Sequence, residues 1–124
     1  MLKLPRPAIW VCAILLTAAF VPVGMSKVLG PSALRWGQRF LDWGYPAGTQ
    51  YVVGTLEVLC GIAVLVPSWR KVAAAGLLVI LFGAVCTHIV HAEFPRVVPP
   101  FVLALLAGLV RFSRVESSTS RIRA

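Results

Sequence analysis

Acidic side chains are nearly missing from this chain. Asp42, Glu57, Glu93 and Glu116 stand against 12 lysines and arginines, a formal net charge of +8 over 124 residues. Charge of either sign is scarce, at 13% of residues, where soluble domains carry about 25%. A soluble fold is excluded by that scarcity. A nucleic-acid module is excluded too, because the basic residues lie between and beside apolar runs, where membrane orientation and anionic lipid explain them. Cysteine is limited to Cys12, Cys60 and Cys86, one in each of three apolar segments. With no CxxC and no Cys/His finger spacing, they read as small buried hydrophobes. There is no phosphate loop, nucleotide fingerprint or Ser/His/Asp set, so no stand-alone enzyme is expected. Alternating apolar residues are absent as well, which excludes a membrane β-barrel.

What remains is 59% hydrophobic, arranged as four continuous apolar runs. The expected fold is all-α: a polytopic, antiparallel four-helix transmembrane bundle spanning about 8–25, 49–67, 72–92 and 97–112. Pro7 can open the first span and Pro22 should kink or loosen its far end. A signal peptide cut near Thr17-Ala18-Ala19 is the competing reading, but the apolar run continues past that point. Between spans one and two, Arg35, Gln38, Arg39 and Asp42 make a polar stripe at helical spacing. This predicts a short amphipathic helix in the interface, its tryptophans turned to lipid, with Ser32 as N-cap and Gly44 just past its end. Gly76 with Gly83, and Ala104 with Gly108, are small-residue pairs suited to helix packing. Residues 1–112 form one domain on this reading, and 113–124 a polar, basic, disordered tail.

The second span, Thr49 to Pro67, is 19 residues long with Glu57 near its middle. A carboxylate at that depth costs several kcal/mol unless it faces protein or water. Gly54 and Gly61 share its face and would admit a neighbouring helix. Counting 1.5 Å per residue puts Glu57 roughly 12 Å below the Thr49 surface and His88 roughly 6 Å below the same surface. Lys27, Glu57, His88, His91 and Glu93 therefore gather in one half of the bilayer. The expected link from Glu57 runs to Lys27 or His88, either as a helix-to-helix brace or as the wall of a ligand pocket.

From Gly24 the order of features resembles the DoxX-like family of small four-helix membrane proteins. The pieces are Gly24-Met25-Ser26-Lys27-Val28-Leu29, Gly44-Tyr45-Pro46, Val53-Gly54-Thr55-Leu56-Glu57-Val58, Gly61-Ile62-Ala63, Leu65-Val66-Pro67 and Gly83-Ala84-Val85-Cys86-Thr87-His88. The resemblance covers roughly residues 8 to 110. It implies matched family positions at Lys27, Glu57 and His88, and a place in membrane redox systems, since members are tied to quinone-linked sulfur oxidation and an oxidative-stress complex. A distant animal relative resembles a receptor-assembly chaperone, which leaves a scaffold role open.

The expected polar cluster is Lys27, Glu57 and His88 with His91 behind them. It would serve a small hydrophobic ligand, for which a quinone headgroup is one candidate, or a protonation site; the cofactor is left open. A zinc site from Glu57, His88 and His91 is the lesser reading, because an HxxH pair recurs by chance. Haem is disfavoured, since both histidines lie on one helix. Expected partners are the lipid bilayer and membrane redox proteins; transport would require a homo-oligomer. Both termini are expected in the cytoplasm with the chain in the plasma (inner) membrane. Lys3, Arg6, Arg70, Lys71, Arg111, Arg114, Arg121 and Arg123 would lie inside, against Lys27, Arg35, Arg39 and Arg96 outside.

Overall fold

The structure is a computed structural model that describes residues 2–116. The order is β1 (Leu2–Leu4), α1 (Arg6–Val28), α2 (Gly30–Asp42), α3 (Thr49–Ala63), α4 (Arg70–Val90), a 3-10 turn (Phe94–Val97), α5 (Val98–Phe112) and β2 (Ser113–Val115). Proline stands in the first turn of α1, α2 and α5. The N–H groups of a first turn have no acceptor inside the helix, so the missing donor does no harm there. Pro22 lies inside α1, yet the helix continues to Val28. The first helix is therefore longer than the expected 8–25, and Lys27 falls within its last turn.

Among the described residues, three segments are long and apolar enough to cross a bilayer: α1, α4 and Phe94–Phe112. The fourth apolar helix, α3, has 15 residues, about 22 Å at 1.5 Å per residue. The expected 49–67 span is thus a shorter helix that gives way to turns. Arg70 accounts for the early end. It is buried, its Nε donates to the Val64 carbonyl at 2.8 Å and its guanidinium reaches the Leu65 carbonyl at 3.3 Å. Carbonyls that a further helical turn would have satisfied are met by a side chain instead, and Pro67 offers no N–H to continue the helix.

The closest pairings are α1 with α3 and α4 with α5. Leu16 of α1, Leu77 of α4 and Val64 after α3 are wholly buried, with Ala13, Ala74 and Ala107 between them. Close packing of small and branched side chains is what such a seam offers, since lipid is as apolar as leucine. On α5 the buried residues are Pro100, Ala107 and Val110. Among the described residues, a Cβ on Gly108 or on Gly83 would meet nothing within 4 Å beyond its own stretch of helix. The expected Ala104–Gly108 and Gly76–Gly83 pairs are therefore used only in part: Ala104 lies against the core, and a Cβ on Gly76 would come within 2.9 Å of the Cys60 sulfur.

Residues 113–124 were expected to be a disordered tail, but the first three of them form β2. β1 and β2 pair in parallel, Leu2 against Ser113 and Leu4 against Val115. Lys71 bonds to the Ser113 carbonyl across them. Two three-residue strands are marginal alone; here buried Ser113 and the lysine anchor them to α4 and α5. Residues 117–124 of the expected tail lie outside the described residues.

Candidate functional site

The site begins with two glycines. A Cβ on Gly54 would lie 2.7 Å from the Gly24 carbonyl oxygen and 2.7 Å from the Lys27 Cβ, so the backbones of α1 and α3 touch there. Thr17 adds a bond to the Gly61 carbonyl at 2.6 Å lower in the same seam. One turn beyond the glycines on each helix come Lys27 and Glu57, and the close approach brings them together. Lys27 Nζ donates to Glu57 Oε1 at 2.5 Å, with the two residues 7% and 3% exposed. The last turn of α1 favours a cation, since helix carbonyls point that way. Glu57 Oε2 is also buried and, among the described residues, has no hydrogen-bond partner.

α2 roofs this pair. It starts at Gly30 rather than after Ser32, and Gly44, at φ 92°, follows its C-cap. Ser32 bonds instead to the carbonyls of Ser26 and Leu29. The tryptophans of this stretch do not turn to lipid as expected. Trp36 lays its ring 4.6 Å from Lys27 Nζ and donates to the Ser26 hydroxyl at 3.1 Å. Trp43 donates to Glu93 Oε1 at 3.1 Å and sets its edge against His88, 5.5 Å between centroids. Phe40 is buried between Trp43 and Tyr45. A ring over a desolvated ammonium ion contributes roughly 2 kcal/mol, a reason for the aromatics to face inward.

Glu93 is the second hub. Its carboxylate accepts from Trp43 and from Arg96 at 3.2 Å, and His88 Nδ1 lies 3.0 Å away. The turn that delivers it puts Ala92 at φ 56°, a left-handed conformation for a non-glycine residue. The His88 hydrogen bond, assisted by the Arg96 charge and the Trp43 N–H, holds the Glu93 carboxyl below its usual range against a smaller opposing effect of burial. Tyr45 and Thr87 are joined through their hydroxyls; Thr87 donates to the Gly83 carbonyl, so Tyr45 is the donor of that pair.

These elements enclose a cavity of 270 Å³. Lys27, Glu57 and His88 line it under a canopy of Trp36, Phe40, Trp43 and Tyr45, with Val53, Val79, Gly83 and Thr87 among the residues of the remaining wall. A groove of 410 Å³ meets it from the side of α1 and α5, sharing Lys27, Trp36, Glu57 and His88. That groove runs along Phe20, Val23, Leu81 and Leu103, with Arg39 and Arg96 also in its walls.

Of the four expected site residues, three share this chamber and one does not. Glu57 is linked to Lys27, not to His88, which turns to Glu93. His91 is exposed and bonds through Nδ1 to the Thr87 carbonyl at 2.9 Å. Among the described residues, no three His, Cys, Asp or Glu side chains come together as metal ligands. Glu93, Trp36, Trp43 and Tyr45 were not among the expected site residues. The sequence had placed Glu93 in the same half of the bilayer and Tyr45 within a family-like stretch, and had paired the two tryptophans seven apart, without giving any of them a place in the site.

Long apolar helices with a charged pair buried among them define a small helical integral membrane protein. The model of the DoxX-like family matches residues 11–110, and the chain belongs to that family. No curated protein and no solved structure matches it.

Proposed function

We propose that this protein is a binding module of a membrane redox system, its chamber taking the polar headgroup of a quinone-type hydrophobic molecule. One observation carries the reading: the buried Lys27–Glu57 pair lines a cavity instead of a packed seam. A pair serving only to brace helices would be closed over by side chains, since an unfilled void forfeits dispersion contacts. Lys27 and His88 face the head, Glu57 and Glu93 fix them, and the aromatic canopy suits a planar ring. Purification with native lipid, followed by extraction, tests this: a co-purifying quinone that is lost in Glu57→Ala is the expected result.

A non-catalytic assembly scaffold is the second reading, favoured by α5. Only 11% of the Phe94–Phe112 window is buried, leaving a broad apolar face for lipid, a partner or a second copy. Stable co-purifying proteins without any small ligand would select it.

The arrangement in the membrane belongs to the same proposal: four antiparallel crossings in the plasma membrane, both termini cytoplasmic. The β1–β2 pairing and the Lys71–Ser113 bond support an even number of crossings, since they hold residues 2–4 and 113–115 together at the start of α4. Reporters at Ser68 and at the C-terminus should give the same cytoplasmic answer, and an external Ser68 would refute the arrangement.

A further inference from the structure

We infer that the chamber selects a head bearing a hydroxyl group, of phenol or hydroquinone type, over the corresponding carbonyl form. The inference rests on the headgroup reading above and specifies its chemistry. Glu57 Oε2 is a buried carboxylate oxygen with no partner among the described residues, and Glu57 lines both the chamber and the groove. An ionised carboxylate only accepts hydrogen bonds, so the group that satisfies it must donate. Lys27 gives one N–H to Oε1 and, as an ammonium ion, has further N–H groups to give.

A hydroxyl group can use both sides of this pair, donating to Oε2 and accepting from Lys27. A carbonyl oxygen can only accept from Lys27 and leaves Oε2 unsatisfied, a cost that falls on any buried acceptor. Lys27 and Glu57 also cancel in charge, so the chamber suits a neutral head better than an ionic one. The apolar remainder of the molecule has an exit: the groove along Phe20, Val23 and Leu103 meets the chamber at the ion pair. The ligand class is therefore a neutral aromatic hydroxyl compound on an apolar tail.

The test uses the full chain in lipid nanodiscs under argon, with empty nanodiscs as the baseline for partitioning. Equilibrium dialysis compares decylhydroquinone with the benzoquinone of the same tail. The hydroquinone is expected to bind about tenfold more tightly, the worth of one hydrogen bond to a charged group. In Glu57→Gln the difference should shrink to about twofold or reverse, because the amide can turn an N–H toward a carbonyl. Equal binding of the two by the natural sequence, or tighter binding of the quinone, overturns the inference and leaves the headgroup reading standing. A variant that keeps the full preference overturns it as well. If neither compound binds saturably, the headgroup reading fails and takes this inference with it.

Discussion

The buried ion pair makes the sharpest energetic prediction. Lys27→Met keeps the length and apolar stem of the lysine while removing its charge. Glu57, 3% exposed and with no partner at Oε2 among the described residues, would then lose the hydrogen bond that Lys27 gives it. Breaking a buried pair from one side costs about 3–5 kcal/mol, because the remaining charge is left uncompensated. Folded domains are stable by only about 5–15 kcal/mol, so this single change removes a large share. Glu57→Leu should cost a comparable amount, and Glu57→Gln less, since its amide oxygen still accepts from Lys27. The double variant Lys27→Met/Glu57→Leu removes both charges and should recover most of the loss, to within about 1 kcal/mol of the parent. Reversible unfolding in mixed micelles, run on all three variants and the double, yields the coupling energy directly. Single losses below about 1 kcal/mol, or a double variant equal to the sum of the singles, would refute the buried pair. A recovered double variant that no longer retains ligand would separate what the pair does for binding from what it does for stability.

Three further outcomes follow from the contacts. Gly54→Ala places a methyl group 2.7 Å from the Gly24 carbonyl oxygen, a backbone atom that cannot step aside, and should cost about 1–3 kcal/mol as overpacking does; Gly108→Ala, with open space around it, should be neutral in the same melting assay. Arg70→Ala orphans the Val64 and Leu65 carbonyls and should lower stability by about 1.5–3 kcal/mol, with Arg70→Lys recovering only part of it because an ammonium ion lacks the planar fork. Glu93 has a folded-state pKa below its unfolded value, so its contribution is present above the ordinary carboxylate range near about 4.3 and is lost as pH falls through the depressed value. Glu93→Gln should flatten the stability profile in that acid window, and an unchanged profile there would remove the His88–Glu93 link from the account.

Much of the helical layout was legible in order of residues alone. Continuous apolar runs announce helices because a bilayer leaves backbone groups no other partner. Gly54 and Gly61 on the face of Glu57 already marked where a second helix could come close to the charge. Local sequence also shows where chain direction changes, through Gly44 and the prolines. None of this depends on residues distant in the chain. The choice of partner does. Both Lys27 and His88 stood within reach of Glu57 on any count of helical rise, and only the contact of Gly24 with Gly54 set Lys27 beside it. His88 was left to Glu93 because Ala92 turns the chain back on α4. Two tryptophans with the spacing of a lipid-facing stripe became the roof of a chamber, since Lys27 and Glu93 offered them polar partners that lipid tails lack. α3 ended early through a guanidinium from the next helix, and the two terminal segments, too short to carry a strand signal, paired only once α1 and α5 had brought them side by side. Periodicity and composition act within a helix turn or two. Which of several competing partners a buried charge takes is decided by backbone separations between helices, and those exist only in the folded chain.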